Sequence, residues 1–138
     1  MANEAVIISL PNNINAVRRT ISGGHAIPKG TILKLADPNT VSPSTGTGDI
    51  FGGIAASETG VATGDTATTN IGAWMTGVFD LVVEGGVTAG TFVTSSGANL
   101  IRDATEAEVN AGQFIGTAEE TAATATTEAV RVRLRGGI

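Results

Sequence analysis

The chain has no cysteine and no tyrosine, one histidine, one tryptophan, and only 4% aromatic residues in a length of 138. Without cysteine, neither a disulfide framework nor a thiolate zinc site can form. With His25 alone, any Ser-His-Asp arrangement rests on one residue beside Gly23 and Gly24, and a loop histidine is the ordinary reading of such a position. Basic residues are also few: thirteen acids against eight bases leave a net charge of −5. That balance opposes sequence-independent binding to nucleic acid, where affinity comes largely from lysine and arginine neutralising phosphates. Long apolar runs are missing as well. The N-terminal MANEAVIISLPNN lacks a basic n-region, and its apolar run is too short for a signal peptide or a membrane span. A soluble chain made in the cytoplasm is expected, with neither nucleic acid nor membrane among its partners.

What the chain has in quantity is small: 19 glycines, 20 alanines and 20 threonines. Small side chains bury little apolar area each, at about 25 cal/mol per Å², so neighbouring subunits are an expected source of stability. The length suits one ordinary domain.

The glycine-rich stretches fail as nucleotide loops. Lys29-Gly30-Thr31 inverts the Gly-Lys-Ser/Thr order of a phosphate loop, and FGGIAAS, residues 51–57, lacks both the lysine and the long helix that must follow. A single RGG near the C-terminus reads as a strand end rather than an RNA-binding element. Glu119 and Glu120 lie in a polar stretch and read as a solvated face, and no calcium-loop spacing of acids occurs. No catalytic, cofactor-binding or metal-ligating residue is therefore expected, and the chain is not read as an enzyme.

Short alternating strands dominate the pattern. In GVFDLVVE, Phe79, Leu81 and Val83 share one face, opposite Val78, Asp80, Val82 and Glu84. In EAVRVRLRGGI, Val130, Val132 and Leu134 face inward while Arg131, Arg133 and Arg135 face outward, and three like charges on one face call for an anionic partner or open solvent. The one helical signal is ATEAEVNAGQ, where Thr105 and Glu108 form a capping box and Gly112 a stop, giving two turns at most. DPNTVSPSTGTGD, residues 37–49, reads as a long exposed loop, and ETGVATGDT as a second. Trp74, among small residues, is either core filler or an interface anchor, with core favoured.

Residues 1–20 differ from the rest. Val6-Ile7-Ile8, Leu10-Pro11-Asn12-Asn13 and Arg18-Arg19 read as an extended N-terminal arm ahead of a β-rich body over 21–138, the other reading being that Val6 to Leu10 is the body's first strand. An internal echo runs through that body. Residues 27–33, IPKGTIL, match 87–93, VTAGTFV, and residues 51–55, FGGIA, match 114–118, FIGTA. Each copy reads as a turn glycine opening a strand, then a strand whose glycine admits another backbone. Two copies fit one small closed barrel with pseudo-symmetry. The fold class expected is all-β, a small barrel-like or sandwich body with one short helix and an extended arm.

In order along the chain, AIPKGTILKLADPNT, DIFGGIAASE, GVFDLVVEGGVTAGTFV, SGANLIRDATEAEVNAGQFIGTAEE and the final VRVRL resemble the small capsid cement, or head decoration, proteins of tailed bacteriophages. The resemblance runs from about Glu4 to the last strand. It implies a virion protein on the outer surface of an expanded icosahedral head, added as trimers near threefold and quasi-threefold positions. There it would cross-brace major capsid proteins, its partners being those proteins and its own copies. It further implies an arm, here Asn3 to Arg19, that reaches onto the shell and pairs with a capsid strand. Val6, Ile7, Ile8, Leu10, Arg18 and Arg19 are then the candidate capsid-binding residues, and Trp74, Arg131, Arg133 and Arg135 the candidate subunit or capsid interface. For the arginines, a solvated edge that discourages aggregation is the competing reading. A second function class is a virion-surface module that attaches to host glycans; exposed aromatics in the long loops would favour it, and Phe51 at one loop margin is the single example.

Overall fold

A computed structural model describes residues 3–10, 16–22, 27–46, 48–57, 70–97, 99–122 and 128–135. His25 and the whole ETGVATGDT segment lie outside the described residues. Within them the chain is all-β, with eleven strands and one short helix. The strands are β1 (Val6–Ser9), β2 (Val17–Ile21), β3 (Ile32–Asp37), β4 (Thr40–Pro43), β5 (Phe51–Ala55), β6 (Asn70–Trp74), β7 (Val78–Val82), β8 (Phe92–Gly97), β9 (Leu100–Asp103), β10 (Gly116–Ala118) and β11 (Ala129–Leu134); the helix α1 (Glu106–Asn110) lies between β9 and β10.

Two sheets form. The first closes as a barrel in the order β2-β4-β3-β5-β6, and the second runs β1-β7-β11-β10-β8-β9. The echo in the sequence is a structural repeat, but each copy builds its own sheet instead of half of a shared barrel. In the first unit β2 and β4 pair in parallel, with Ser22 N–H donating to Val41 O at 2.9 Å. In the second, a parallel bridge joins Val83 to Ile101, with Glu84 N–H donating to Ile101 O at 2.8 Å. The turns repeat in detail. Thr31 Oγ1 donates to Pro28 O at 2.7 Å, and Thr91 Oγ1 to Thr88 O at 2.6 Å. Gly30 N–H reaches Ala55 O at 2.9 Å, and Gly90 N–H reaches Ala118 O at 2.8 Å. Both glycines stand at positive φ, +86° and +89°, where a side chain is strained.

Period-two alternation explains what each strand buries. Leu33, Val41, Ile71 and Ala73 fill the first barrel, while Ile32, one residue from Leu33, points out of it into a larger cluster built mostly by the second unit. Phe79, Leu81 and Val83, and Val130, Val132 and Leu134, are each at most 2% exposed, and Arg131 and Arg133 face outward as the alternation requires. FGGIA is wholly buried. A Cβ on Gly53 would lie 2.6 Å from Ala73 Cβ, so the glycine is what lets β5 and β6 approach. The helix is capped as the sequence predicts: Thr105 accepts from Glu108 N–H while the Glu108 carboxylate accepts from Thr105 N–H.

Two expectations are overturned. Residues 37–49 are not one exposed loop: Pro38 and Asn39 turn the chain, Asn39 at φ +54°, and β4 follows, with Val41 and Ser42 buried. The polar composition hides a strand that the barrel recruits to close on β2. Nor do the described residues of 1–20 stand apart as an arm. β1 pairs antiparallel with β7, Val6 opposite Asp80 and Ile7 opposite Phe79, and β2 is an integral barrel strand, so a boundary at 20/21 would cut through it. The reading of Val6 to Leu10 as the body's first strand is the one the structure takes. β7 has a free edge in the second sheet, and an apolar β-branched segment fills it.

Candidate interaction surfaces

β1 is an outer strand of the six-stranded sheet, hydrogen-bonded on one side to β7. Val6 is 58% exposed, Ile7 39% and Ile8 38%. Three consecutive β-branched residues on a sheet edge form a template to which another strand can add, and natural proteins usually blunt such edges with charge or proline. A register irregularity between Ile7 and Ser9 interrupts the pairing. Leu10 turns the other way and packs against the large core cluster, so it anchors the strand's end. The six expected arm residues therefore divide. Val6, Ile7 and Ile8 lie together on an edge that no strand pairs among the described residues, Leu10 is half-buried, and Arg18 and Arg19 belong to β2, paired at both positions with β6. Arg18 is exposed, whereas Arg19 is half-buried, its Nη1 donating to Asn39 Oδ1 at 3.2 Å.

The two outward arginines of β11 and Arg135 just beyond it, half-buried rather than outward as expected, find partners within the chain. Arg131 lies opposite Asp80, with Nε 3.8 Å from its carboxylate. Arg133 Nη2 bonds Glu119 Oε2 at 2.8 Å. Arg135 Nη1 donates to Gly112 O at 2.6 Å, and its guanidinium stacks 4.1 Å from the Phe114 ring centroid. Exposed pairs of this kind contribute about 0.2–1 kcal/mol each and are screened by salt, so they set local orientation more than stability. Glu119 and Glu120 are exposed as expected, but both are engaged, Glu120 Oε1 accepting from Arg131 N–H at 2.7 Å.

Trp74 is half-buried against the large cluster, on the face of the first barrel that the second unit covers. It thus serves as an anchor between the two units of one chain, with its indole Nε1–H buried and unpaired.

Two features escape a reading of local pattern. Phe92 is 43% exposed, its ring 4.8 Å from that of Phe114, and with Arg135 the pair forms an aromatic and cationic patch on the second unit. Asn99 is 4% exposed and joins the units: its Oδ1 accepts from Ile32 N–H at 2.6 Å, and its Nδ2 donates to Asn3 O at 2.8 Å and Gly30 O at 3.1 Å. The echo bears on the first, since it aligns Phe92 with Ile32 and Phe114 with Phe51; Asn99 lies outside its matched segments.

One ion pair is largely sheltered. Arg102 grips Glu108 through both nitrogens, at 2.9 and 2.7 Å, and this bond, helped by those from Thr105, outweighs burial and holds the Glu108 carboxyl down at about 2. It fixes α1 to β9.

No known family model and no curated protein matches the chain.

Proposed function

We propose that the protein is a capsid cement: a structural virion protein, not an enzyme, that binds the outer surface of an expanded phage head and cross-braces major capsid proteins, acting in trimers at threefold and quasi-threefold sites. The observation that carries the reading is the outer edge of β1, unpaired among the described residues, with Val6, Ile7 and Ile8 exposed. An edge of this kind gains affinity through main-chain hydrogen bonds to an added strand and tolerates varied side chains on the partner. Many copies on a fixed lattice raise the effective concentration, so several weak edges give full occupancy. The ordered resemblance along the chain supports the same reading, with one adjustment: the shell strand is met by the outer side of an ordered edge strand rather than by a detached arm. The glycan-binding alternative leans on loop aromatics, and Phe51, at the one loop margin that carries an aromatic, is buried.

Quantitative mass spectrometry of purified virions tests the proposal. A copy number near one per major capsid protein is expected; a few per cent, or absence from particles, overturns it. Val6→Glu, on an exposed position, should leave the body folded and weaken capsid binding at least tenfold, by desolvating a charge in the added-strand interface.

A further inference from the structure

The two units are alike in fold but unequally covered. Within the chain, the β8–β9 turn of the second unit seats on the first: Asn99, at φ +60°, bonds Ile32 N–H and Gly30 O. Around that contact the outward face of the first barrel disappears from solvent. Gly30, Thr31 and Ile32 are buried, and Ile32, Phe51 and Ile54 join the core cluster with Trp74 packed against it. The corresponding turn of the first unit carries Asn39 at φ +54°, and it is exposed. The corresponding face of the second unit carries Gly90, Phe92 and Phe114; the first two are exposed and the third half-buried. One chain thus contains one complete contact of turn on face and both halves of a second.

We infer that chains associate head to tail, the Asn39 turn of one seating on the Gly90, Phe92 and Phe114 face of the next as Asn99 seats on Gly30 and Ile32 within the chain. The occupant of the Phe92 patch is therefore a second copy of this chain. An exposed phenylalanine tilted against another ring stands where the first unit has buried isoleucine, so the face keeps its apolar character. Asn39 Oδ1, which accepts from the Arg19 guanidinium at 3.2 Å on an exposed surface, exchanges that bond for a main-chain N–H of the neighbour. The correspondence stops at Ala104, beyond which α1 replaces the 44–50 segment. The internal bond from Ser95 Oγ to Gly46 O at 3.0 Å consequently has no counterpart, and the contact between chains is smaller than the one within them. Because the two surfaces differ, the contact is heterologous: it closes into a ring when its rotation permits and otherwise continues as a filament. The inference gives the self-association proposed above its surfaces and rests on that reading only there, since capsid attachment plays no part in it.

The test uses purified full-length protein without capsids. Sedimentation velocity over a hundredfold concentration range should show oligomers that Phe92→Glu weakens at least tenfold, while Val6→Glu leaves association unchanged. Circular dichroism of Phe92→Glu, at an exposed position, checks that its fold is intact. The chain lacks cysteine, so oxidising a mixture of Asn39→Cys and Phe92→Cys chains should yield a disulfide-linked heterodimer. A wild-type protein that remains monomeric at every concentration overturns the inference, as do oligomers that persist in Phe92→Glu or a mixture that fails to cross-link. Oligomers without capsid binding would overturn the cement reading and leave the head-to-tail contact standing.

Discussion

Replacing Asn99 by glycine removes the side chain while keeping a residue that accepts φ +60°, so it isolates what the side chain contributes to holding the two units together. Three hydrogen bonds go. The Ile32 N–H is left buried with its acceptor gone, which costs about 1–3 kcal/mol, and the two bonds donated by Nδ2 are worth about 1 kcal/mol each. Gly30 O loses less than the others, because Ala5 N–H still donates to it at 2.9 Å. The expected loss is about 3–4 kcal/mol, a large share of the stability of a small domain. Asn99→Ala adds left-handed strain and should cost about 1 kcal/mol more. The control is Asn39→Gly: the side chain at the equivalent position of the first unit has one exposed bond, accepted from Arg19, and its loss should cost about 0.5–1 kcal/mol. Urea unfolding followed by the fluorescence of Trp74, the single tryptophan, measures all three at concentrations low enough to keep the chain monomeric. If Asn99→Gly lost less than about 1 kcal/mol, or no more than Asn39→Gly, Asn99 would not be the joint between the units, and its equivalence to an intermolecular contact would fall with it.

Other outcomes follow from single sites. The Glu108 carboxyl, at about 2 in the folded chain against 4.5, contributes stability that is complete above the unfolded value and is lost as pH falls through that window. The drop corresponds to about 3 kcal/mol, reduced to about 2 by water reaching Arg102, so Glu108→Gln should lower stability at pH 7 by that amount and flatten the acid limb of the pH profile; an unchanged limb would refute the assignment. Gly30→Ala drives a Cβ to 2.8 Å from Ala5 O at φ +86°, whereas Gly90→Ala meets nothing within 4 Å at φ +89°. In monomer, the second should cost about 1–2 kcal/mol of backbone strain and the first clearly more; equal melting shifts would contradict the burial described here.

The strands that were legible in the sequence have one buried face each. Val130, Val132 and Leu134 alternate with arginines because water lies on one side of β11 and the core on the other, and the alternation records that directly. β4 was illegible for the opposite reason. Its Thr-Val-Ser-Pro sequence carries little apolar signal, and it is a strand because β2 and β3 close the barrel around it. The Val6-Ile7-Ile8 run was visible as a strand former, but its partner, β7, is too distant in sequence for local pattern to name. The repeat itself could be seen in aligned glycines and threonines. Which copy covers the other could not, since Asn39 and Asn99 occupy equivalent turns and differ only in what lies above them. The candidate surface suffered from the same blindness: Phe92 reads as an ordinary strand residue until Ile32, its counterpart, is found buried.

The pairing of β1 with β7 also bears on how the chain is made. Val6 lies opposite Asp80, so β1 leaves the ribosome with no β7 to pair with until more than seventy further residues follow it. At about 5–20 residues per second, that interval lasts roughly 4–15 s. Through it, the β2–β6 barrel can close by itself while Val6-Ile7-Ile8 waits uncovered, which makes the nascent chain most vulnerable to sticking to its neighbours just before the second unit appears.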